Sequence, residues 1–462
     1  MIVANFINGT AVSADETSPL VDPAAGEEFG RAVVSRAAEV DAAVQAAADA
    51  FPTWSRTTPG ERQLALLKLA DLLEANAEAV ADAEIRETGK IRAVVLGEEI
   101  PQCVDQIRFF AGAARALGTA AAGEYVSGAT SYQRREPVGV IAQITPWNYP
   151  LMMAVWKIAP ALAAGNTVVV KPADTTPSST VLLASLAARV LPAGVFNVVL
   201  GDRDTGRLLV EHPAPAMVSL TGSTRAGVEV ARSAAATVKR THLELGGNAP
   251  VLVFDDVDVA SAAEGIVGAA FYNAGQDCTA ATRVLVHSAV HDEFVAALVK
   301  AASAQVPGTD FGPLNSAAQL DRVLAMLGRS SATVHCGGKR HGTTGFFLEP
   351  TVISGLAQED ELVQEEPFAP VITVQSFGSD DEAVELANGV PQGLASSIWT
   401  RDTSRVAALT TRLDFGIVWV NTHGLVASEM PHGGFGASGY GKDLSMHGLE
   451  DYTRVKHVMI AH

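Results

Sequence analysis

Three side chains that could do chemistry, a thiol, a carboxylate and an amide, sit in polar or turn-forming stretches of the chain. Cys278 lies in Asn273-Ala-Gly-Gln-Asp-Cys-Thr-Ala, between two apolar stretches. A catalytic thiol needs a cleft and a stabilised thiolate, whereas a lone cysteine is more often a packed core residue; Cys103 and Cys336 have no comparable setting and are read that way. Glu244 lies in Leu243-Glu-Leu-Gly-Gly, where two glycines let the backbone turn sharply behind the carboxylate. It is either a group reaching into a cleft or the ordinary end of a strand. Asn148, in Pro146-Trp-Asn-Tyr-Pro, is either an amide donor to a developing oxyanion or a turn residue.

Two further stretches suit a phosphate-bearing ligand. Lys171-Pro ends a short apolar strand, at the carboxyl end where open α/β sheets bind ligands, and Lys171 and Asp174 are in reach of a ribose there. Gly222-Ser-Thr-Arg-Ala-Gly227 sits at a strand-to-helix junction, where free N–H groups cradle phosphate. It is neither a Gly-x-Gly-x-x-Gly fingerprint nor a P-loop. No metal is expected.

The elements around these residues alternate. Alanine and leucine content predicts helices over 36–50, 60–88 and 93–118, and 132–144 reads as β. Strands Thr167–Val170, Phe196–Leu200 and Met217–Leu220 then alternate with helical stretches, which implies βαβ units on a parallel sheet. A second unit opens at Ala249–Phe254, after the hinge Glu244–Gly247. It continues with strands at Arg283–Val286, Val371–Val374, Ser396–Trp399 and Ile417–Asn421. The tail Tyr452–Ile460 is a strand without a sequence neighbour, a pattern that suits pairing elsewhere, including on another subunit.

The chain has 462 residues, more than one hydrophobic core normally serves. Its composition, 48 % apolar and 18 % charged, is that of a globular protein. A net charge of −18 disfavours nucleic acid and anionic membrane as partners. Three cysteines are too few for a disulfide framework, and no signal peptide or bilayer-length apolar run is read, so a cytoplasmic location is expected.

Taken in order, the strings resemble the aldehyde dehydrogenase superfamily: Thr145-Pro-Trp-Asn-Tyr-Pro, Lys171-Pro, Leu220-Thr-Gly-Ser-Thr, Glu244-Leu-Gly-Gly, Gly275-Gln-Asp-Cys-Thr, Glu366-Pro-Phe and Pro431-His-Gly-Gly. The likeness runs along essentially the whole chain. It implies an α/β fold with a Rossmann-type parallel-sheet cofactor domain (1–117 and 138–245), an α/β catalytic domain (246–430) and a small β oligomerisation element (118–137 and 431–462). It also implies Cys278 as nucleophile, Asn148 and the Cys278 N–H as oxyanion hole, and Glu244 as the base for deacylation. NAD would be held by Thr145, Pro146, Trp147, Lys171, Asp174, Gly222, Ser223, Gly246, Glu366 and Phe368.

Some stretches are similar to a narrower group, the γ-aminobutyraldehyde dehydrogenases near the betaine aldehyde dehydrogenases. Among them are Glu99-Ile-Pro, Asn148-Tyr-Pro-Leu-Met-Met-Ala-Val-Trp-Lys and Ser428-Glu-Met-Pro-His-Gly-Gly. That likeness implies 4-aminobutanal or a related aldehyde as substrate, with a broad or betaine-type specificity as the alternative. Trp156 and Met152, one turn apart on a helix, would line its tunnel, and Asp277, Asp105 or Glu99 would meet the amine. A homo-oligomer, dimer or tetramer, is expected. Departures include Asp174 where a glutamate is common, Asn248 after Leu-Gly-Gly, Ala369 after Phe368 and Gly436 after Gly-Gly-Phe. A cofactor-free cysteine hydrolase is the competing class. It would need a histidine beside Cys278, and His242 and His287 are the nearest in sequence.

Overall fold

The computed structural model describes residues 2–462. Among these residues the largest sheet has eight strands. Its order is Gly439–Tyr440, Arg240–Leu245, Met217–Gly222, Val140–Ile144, Thr167–Lys171, Phe196–Val198, Asn5–Ile7 and Thr10–Val12. Arg240–Leu245 through Phe196–Val198 run parallel, and antiparallel strands close both edges. Thr167–Lys171 is buried at every position, as expected for a strand covered on both faces.

The chain leaves Val140–Ile144 toward Thr167–Lys171 on one side and later returns on the other with Met217–Gly222. That reversal opens a crevice beyond the carboxyl ends of Val140–Ile144 and Met217–Gly222, the position where doubly wound sheets bind ligands. Pro146-Trp-Asn and Gly222-Ser follow directly from those two strand ends. The helix Pro150–Ala164 then packs into the core. It starts with proline in its first turn, stops at Gly165, and is buried at every position, as befits a helix apolar all round.

A second, seven-stranded sheet has the order Thr333–Cys336, Thr351–Ser354, Val371–Phe377, Arg283–His287, Pro250–Val253, Ala395–Trp399 and Ile417–Val420. All but the first strand run parallel. Glu244-Leu-Gly-Gly, the Cys278 loop and Glu366-Pro-Phe each lead directly into one of its strands. The chemistry-bearing segments therefore leave the carboxyl end of one sheet or enter the amino end of the other.

The structure revises several expectations. The tail strand Thr453–Ala461 pairs antiparallel with Ala129–Pro137 of the same chain, from Thr453↔Pro137 to Ala461↔Ala129. The β-like run at 132–144 is two strands in two different sheets, broken at Gly139 with φ 145°. The long helix expected over 60–88 divides at Asn76 into Pro59–Ala75 and Ala77–Thr88. The helix expected over 93–118 contains a π turn at Val95–Glu99 before Ile100–Ala113; such turns turn a helix face relative to its continuation. Five short strands between Ile2 and Val34 carry no alternation strong enough to have been read.

Candidate active site

A cavity of about 1210 Å³ lies between the two sheets. Cys278, Glu244 and Asn148 line it, together with Met152, Trp156 and His432. The loop carrying Cys278 is tightly constrained. Asn273 and Ala274 adopt left-handed backbone at φ 49° and 56°, strained for residues with a Cβ. Gly275 follows at φ 67°, and a Cβ there would sit 2.2 Å from the Ala369 carbonyl oxygen. A Cβ on Gly247 would sit 1.9 Å from the Cys278 carbonyl oxygen. The two segments thus touch through backbone, and glycine is what lets them.

Side chains complete the clamp. Asn148 Nδ2 donates to the Gln276 carbonyl at 3.0 Å, and Asn273 Nδ2 donates to the Asn148 carbonyl at 2.9 Å. One N–H of the Asn148 amide is therefore anchored and the other remains for the cavity. Tyr149 Oη donates to Asp277 Oδ2 at 2.7 Å, while Asp277 Oδ1 accepts from the Thr279 N–H and hydroxyl. His423 bonds the Thr279 carbonyl through Nε2 at 2.6 Å and Ser397 through Nδ1 at 2.9 Å. Burial lowers its pKa to about 4, so it is a neutral support for the loop.

The electrostatics of the thiol run against ionisation. Burial pushes the Cys278 pKa well above its ordinary value, and the nearby carboxylates of Glu244, Asp277 and Glu366 push it further. Burial likewise raises Glu366 to about 8, although the Gly247 N–H donates to it.

Pro146, Trp147, Gly222, Ser223, Gly246, Glu366 and Phe368 also line the cavity. Trp147 and Phe368 meet edge to face with ring centres 5.4 Å apart. Ser223 caps the helix Thr224–Ala235, accepting from the Ala226 N–H at 3.3 Å. Thr145, Lys171 and Asp174 lie outside the cavity lining. Lys171 is buried, its ammonium donates to the carbonyls of Pro172 and Gly201, and burial lowers its pKa to about 8. Asp174 is exposed beside it.

Of the residues expected to meet an amine, Trp156, Met152 and Asp277 line the cavity, and Asp105 and Glu99 do not. Asp105 is exposed and accepts from the Ser428 hydroxyl at 2.6 Å. Glu99 is buried in an ion pair with Lys90 at 2.7 Å. The π turn brings the adjacent Glu98 to the cavity instead, where the Tyr272 hydroxyl donates to it at 3.1 Å. A straight helix would not have suggested this neighbour.

Besides His423, the imidazole of His432, from the Pro-His-Gly-Gly string, stands near Cys278. Its Nε2 lies 3.7 Å from Glu244 Oε1, and its ring packs 4.7 Å from that of Trp156. Neither His242 nor His287 lines the cavity. His242 is buried against Asp443 and Asp451, and His287 packs on Phe377.

The sequence pattern described as the aldehyde dehydrogenase family matches residues 11–458. Solved structures agree along the whole chain. A putative aldehyde dehydrogenase of Burkholderia cenocepacia is 38 % identical, with a TM-score of 0.97, and the match covers 99 % of this chain and 97 % of that one. PnpE in complex with nicotinamide adenine dinucleotide is 37 % identical, with a TM-score of 0.97 over 100 % of this chain and 98 % of that one. A betaine aldehyde dehydrogenase of Staphylococcus aureus, in complex with NAD⁺ and with a modified cysteine, is 32 % identical. Its TM-score is 0.96 over 99 % of this chain and 97 % of that one.

Proposed function

This chain belongs to the aldehyde dehydrogenase family, and from that footing we propose that it oxidises cationic aminoaldehydes such as 4-aminobutanal to carboxylic acids with NAD⁺. The observation that carries the chemistry is the convergence of Cys278, Glu244 and Asn148 on one cavity.

Cys278 loses its thiol proton to solvent, and the thiolate adds to the aldehyde carbon, forming a C–S bond and moving the carbonyl π pair onto oxygen as a hemithioacetal oxyanion. The free Asn148 N–H and the Cys278 backbone N–H are the donors for that charge, which a buried site makes worth more than in water. NAD⁺, when bound, would accept the hydride; as the substrate C–H bond breaks, the oxyanion pair reforms C=O and a thioester remains on Cys278. Glu244 takes a proton from water as the oxygen attacks the thioester. The C–S bond breaks, the thiol is regenerated and the acid leaves.

The residues present suit the cofactor. The first turn of Thr224–Ala235 offers N–H groups beside Gly222 and Ser223 for a pyrophosphate. Glu366 and Phe368, next to Trp147, suit the nicotinamide half, and Asp174 beside Lys171 suits the adenosine ribose. The same reading assigns cofactor binding to 1–117 and 138–245, catalysis to 246–430 and bridging to 118–137 with 431–462. Exposed Tyr125, Val455, Met459 and Ile460, on the sheet formed by Gly123–Val126, Ala129–Pro137 and Thr453–Ala461, support association into a dimer or tetramer. No helix among the described residues is long and apolar enough to cross a membrane. The free state of all three cysteines suits the cytoplasm.

For the amine, Trp156, Tyr149 and Tyr272 supply aromatic surface, and Glu98 and Asp277 supply carboxylates on the same cavity. The kcat/KM for 4-aminobutanal should exceed that for butanal by about ten-fold, the product of one cation–π contact and a nearby carboxylate. Glu98→Gln should narrow the ratio. Equal values for the two aldehydes would leave a broad-specificity enzyme.

A further inference from the structure

Among the described residues, Glu244, Cys278 and His432 form the one cluster of cysteine, histidine and carboxylate whose ligand atoms lie close enough to share an ion. A carboxylate oxygen, Sγ and a ring nitrogen all lie within 4.8 Å of one another. We propose that this cluster is a binding site for a thiophilic divalent cation, Zn²⁺ by its ligand chemistry, and that the cation silences the enzyme reversibly.

Two of the three ligands are without hydrogen-bond partners, and the third, the Cys278 thiol, leans toward Glu244. Both oxygens of Glu244 and Nε2 of His432 are buried without a hydrogen-bond partner, in side chains whose residues are 2 % and 4 % exposed. Buried polar atoms are rarely left so, and here they face the cavity. His432 is also firmly placed. Its backbone N–H donates to the Asp443 carbonyl at 2.9 Å, the Asp443 N–H donates back at 2.7 Å, and its ring rests on Trp156. Glu244 is set by its strand, which pairs with Met217–Gly222 on one side and Gly439–Tyr440 on the other.

The spacing suits zinc. Bonds of about 2.0–2.3 Å to nitrogen, oxygen and sulfur imply edges of about 3.3–3.8 Å between ligand atoms in a tetrahedron. The edge from His432 to Glu244 is already 3.7 Å. The Sγ edges close by rotation of the Cys278 and Glu244 side chains. Three protein ligands leave a fourth position for water, as in open zinc sites. A thiolate with an imidazole selects zinc over magnesium or calcium, which prefer oxygen. Binding forms a Zn–S bond and breaks the Cys278 S–H bond; the proton passes to solvent and no electron moves. The nucleophile and the deacylating base are both occupied, so turnover stops until the metal leaves.

The proposal adds a ligand to the catalytic cavity and stands whether or not the substrate is an aminoaldehyde. The first measurement needs no turnover. Enzyme free of NAD⁺ is titrated with Co²⁺ as a spectroscopic stand-in and with Zn²⁺ by calorimetry. One ion per chain is expected, with a sulfur-to-cobalt charge-transfer band and release of a proton. Cys278→Ser should remove the band. His432→Phe and His432→Asn should each weaken Zn²⁺ binding by about ten-fold or more, since even outer partners of metal ligands are worth that much. In the wild type, Zn²⁺ should block alkylation of Cys278 and NADH formation, and a chelator should restore both, whereas Mg²⁺ should do neither. Zn²⁺ binding that survives unchanged in Cys278→Ser or in both His432 variants would place the ion elsewhere and overturn the proposal. So would the absence of any bound ion in the wild type.

Discussion

Glu244→Gln should move two properties of the enzyme in opposite directions. The Glu244 carboxylate stands within 4.8 Å of the Cys278 sulfur and, after burial, is the leading influence holding the thiol protonated. Two unit charges at that separation interact by about 0.9 kcal/mol in water and about 3.5 kcal/mol at an effective dielectric of 20. Removing the charge should therefore favour the thiolate by that energy and lower the thiol pKa. The thiolate fraction near neutrality rises accordingly, and the intrinsic reactivity of a less basic thiolate cancels about half of the gain in logarithm. Alkylation by iodoacetamide at pH 7.5 should then quicken by about 2- to 20-fold in the variant. Its pH profile should shift to lower pH in the variant. Turnover should fail at the other end of the cycle. Rapid mixing with aldehyde and NAD⁺ should give a burst of NADH near one per active chain, then a slow phase, because hydride transfer needs no base and thioester hydrolysis does. Slower alkylation in the variant, with no burst, would refute the reasoning and make Glu244 the base for the thiol.

Four other expectations follow from the structure. Cys278→Ala should cost several orders of magnitude in kcat while NAD⁺ still binds, because Glu244 and Asn148 then have no intermediate to act on; turnover above a few per cent would reassign the nucleophile. NAD⁺ should give a higher kcat/KM than NADP⁺, since a carboxylate at the ribose position proposed for Asp174 would repel a 2′-phosphate, and equal or reversed values would remove Asp174 from that proposed site. Lys157→Met should cost about 3–5 kcal/mol in denaturant unfolding, since it strips a fully buried partner 3.2 Å from Asp443; an unchanged midpoint would mean that His242 alone satisfies Asp443. For His242, burial lowers the pKa but Asp443 and Asp451 outweigh it and leave the value raised. Its stabilising contribution should thus be full below about pH 6.5 and fade as pH rises through the raised value, a slope that His242→Gln should flatten.

The parallel strands were legible because burial on both faces demands continuous apolar runs, such as the three valines of Thr167–Lys171, and glycine with lysine-proline marked where they stop. The placement of Cys278, Glu244 and Asn148 was legible only as an ordered set of strings, since each string alone suits an ordinary turn. What escaped reading was geometry without a compositional signature. The π turn at Val95–Glu99 is built from residues that suit an α-helix, yet it buries Glu99 with Lys90 and brings Glu98 to the cavity. The tail strand found its partner in Ala129–Pro137 because nine residues pair in register. That partner was read only in part, as the start of a β run over 132–144, and its polar composition gave no sign of where it begins or what it pairs with. His432 was visible as a letter in Pro-His-Gly-Gly, but its neighbour Glu244 is brought to it only by the pairing of Gly439–Tyr440 with Arg240–Leu245.

That pairing shows why the cavity depends on a distant part of the chain. The segment His432–Tyr440 is held at one end by the His432–Asp443 bridge and at the other by its strand along Glu244. Asp443 is itself fixed inside the core by Lys157 and His242, and His242 sits on the same strand as Glu244, two residues away. In a strand, residues two apart share a face. The buried charges thus tie the helix that carries Met152 and Trp156, the strand that carries Glu244 and the loop that carries His432 into one unit. A hydrophobic replacement of the trio could match its stability. It would not fix the spacing between imidazole and carboxylate, because only directional bonds specify which atom of each partner faces the next.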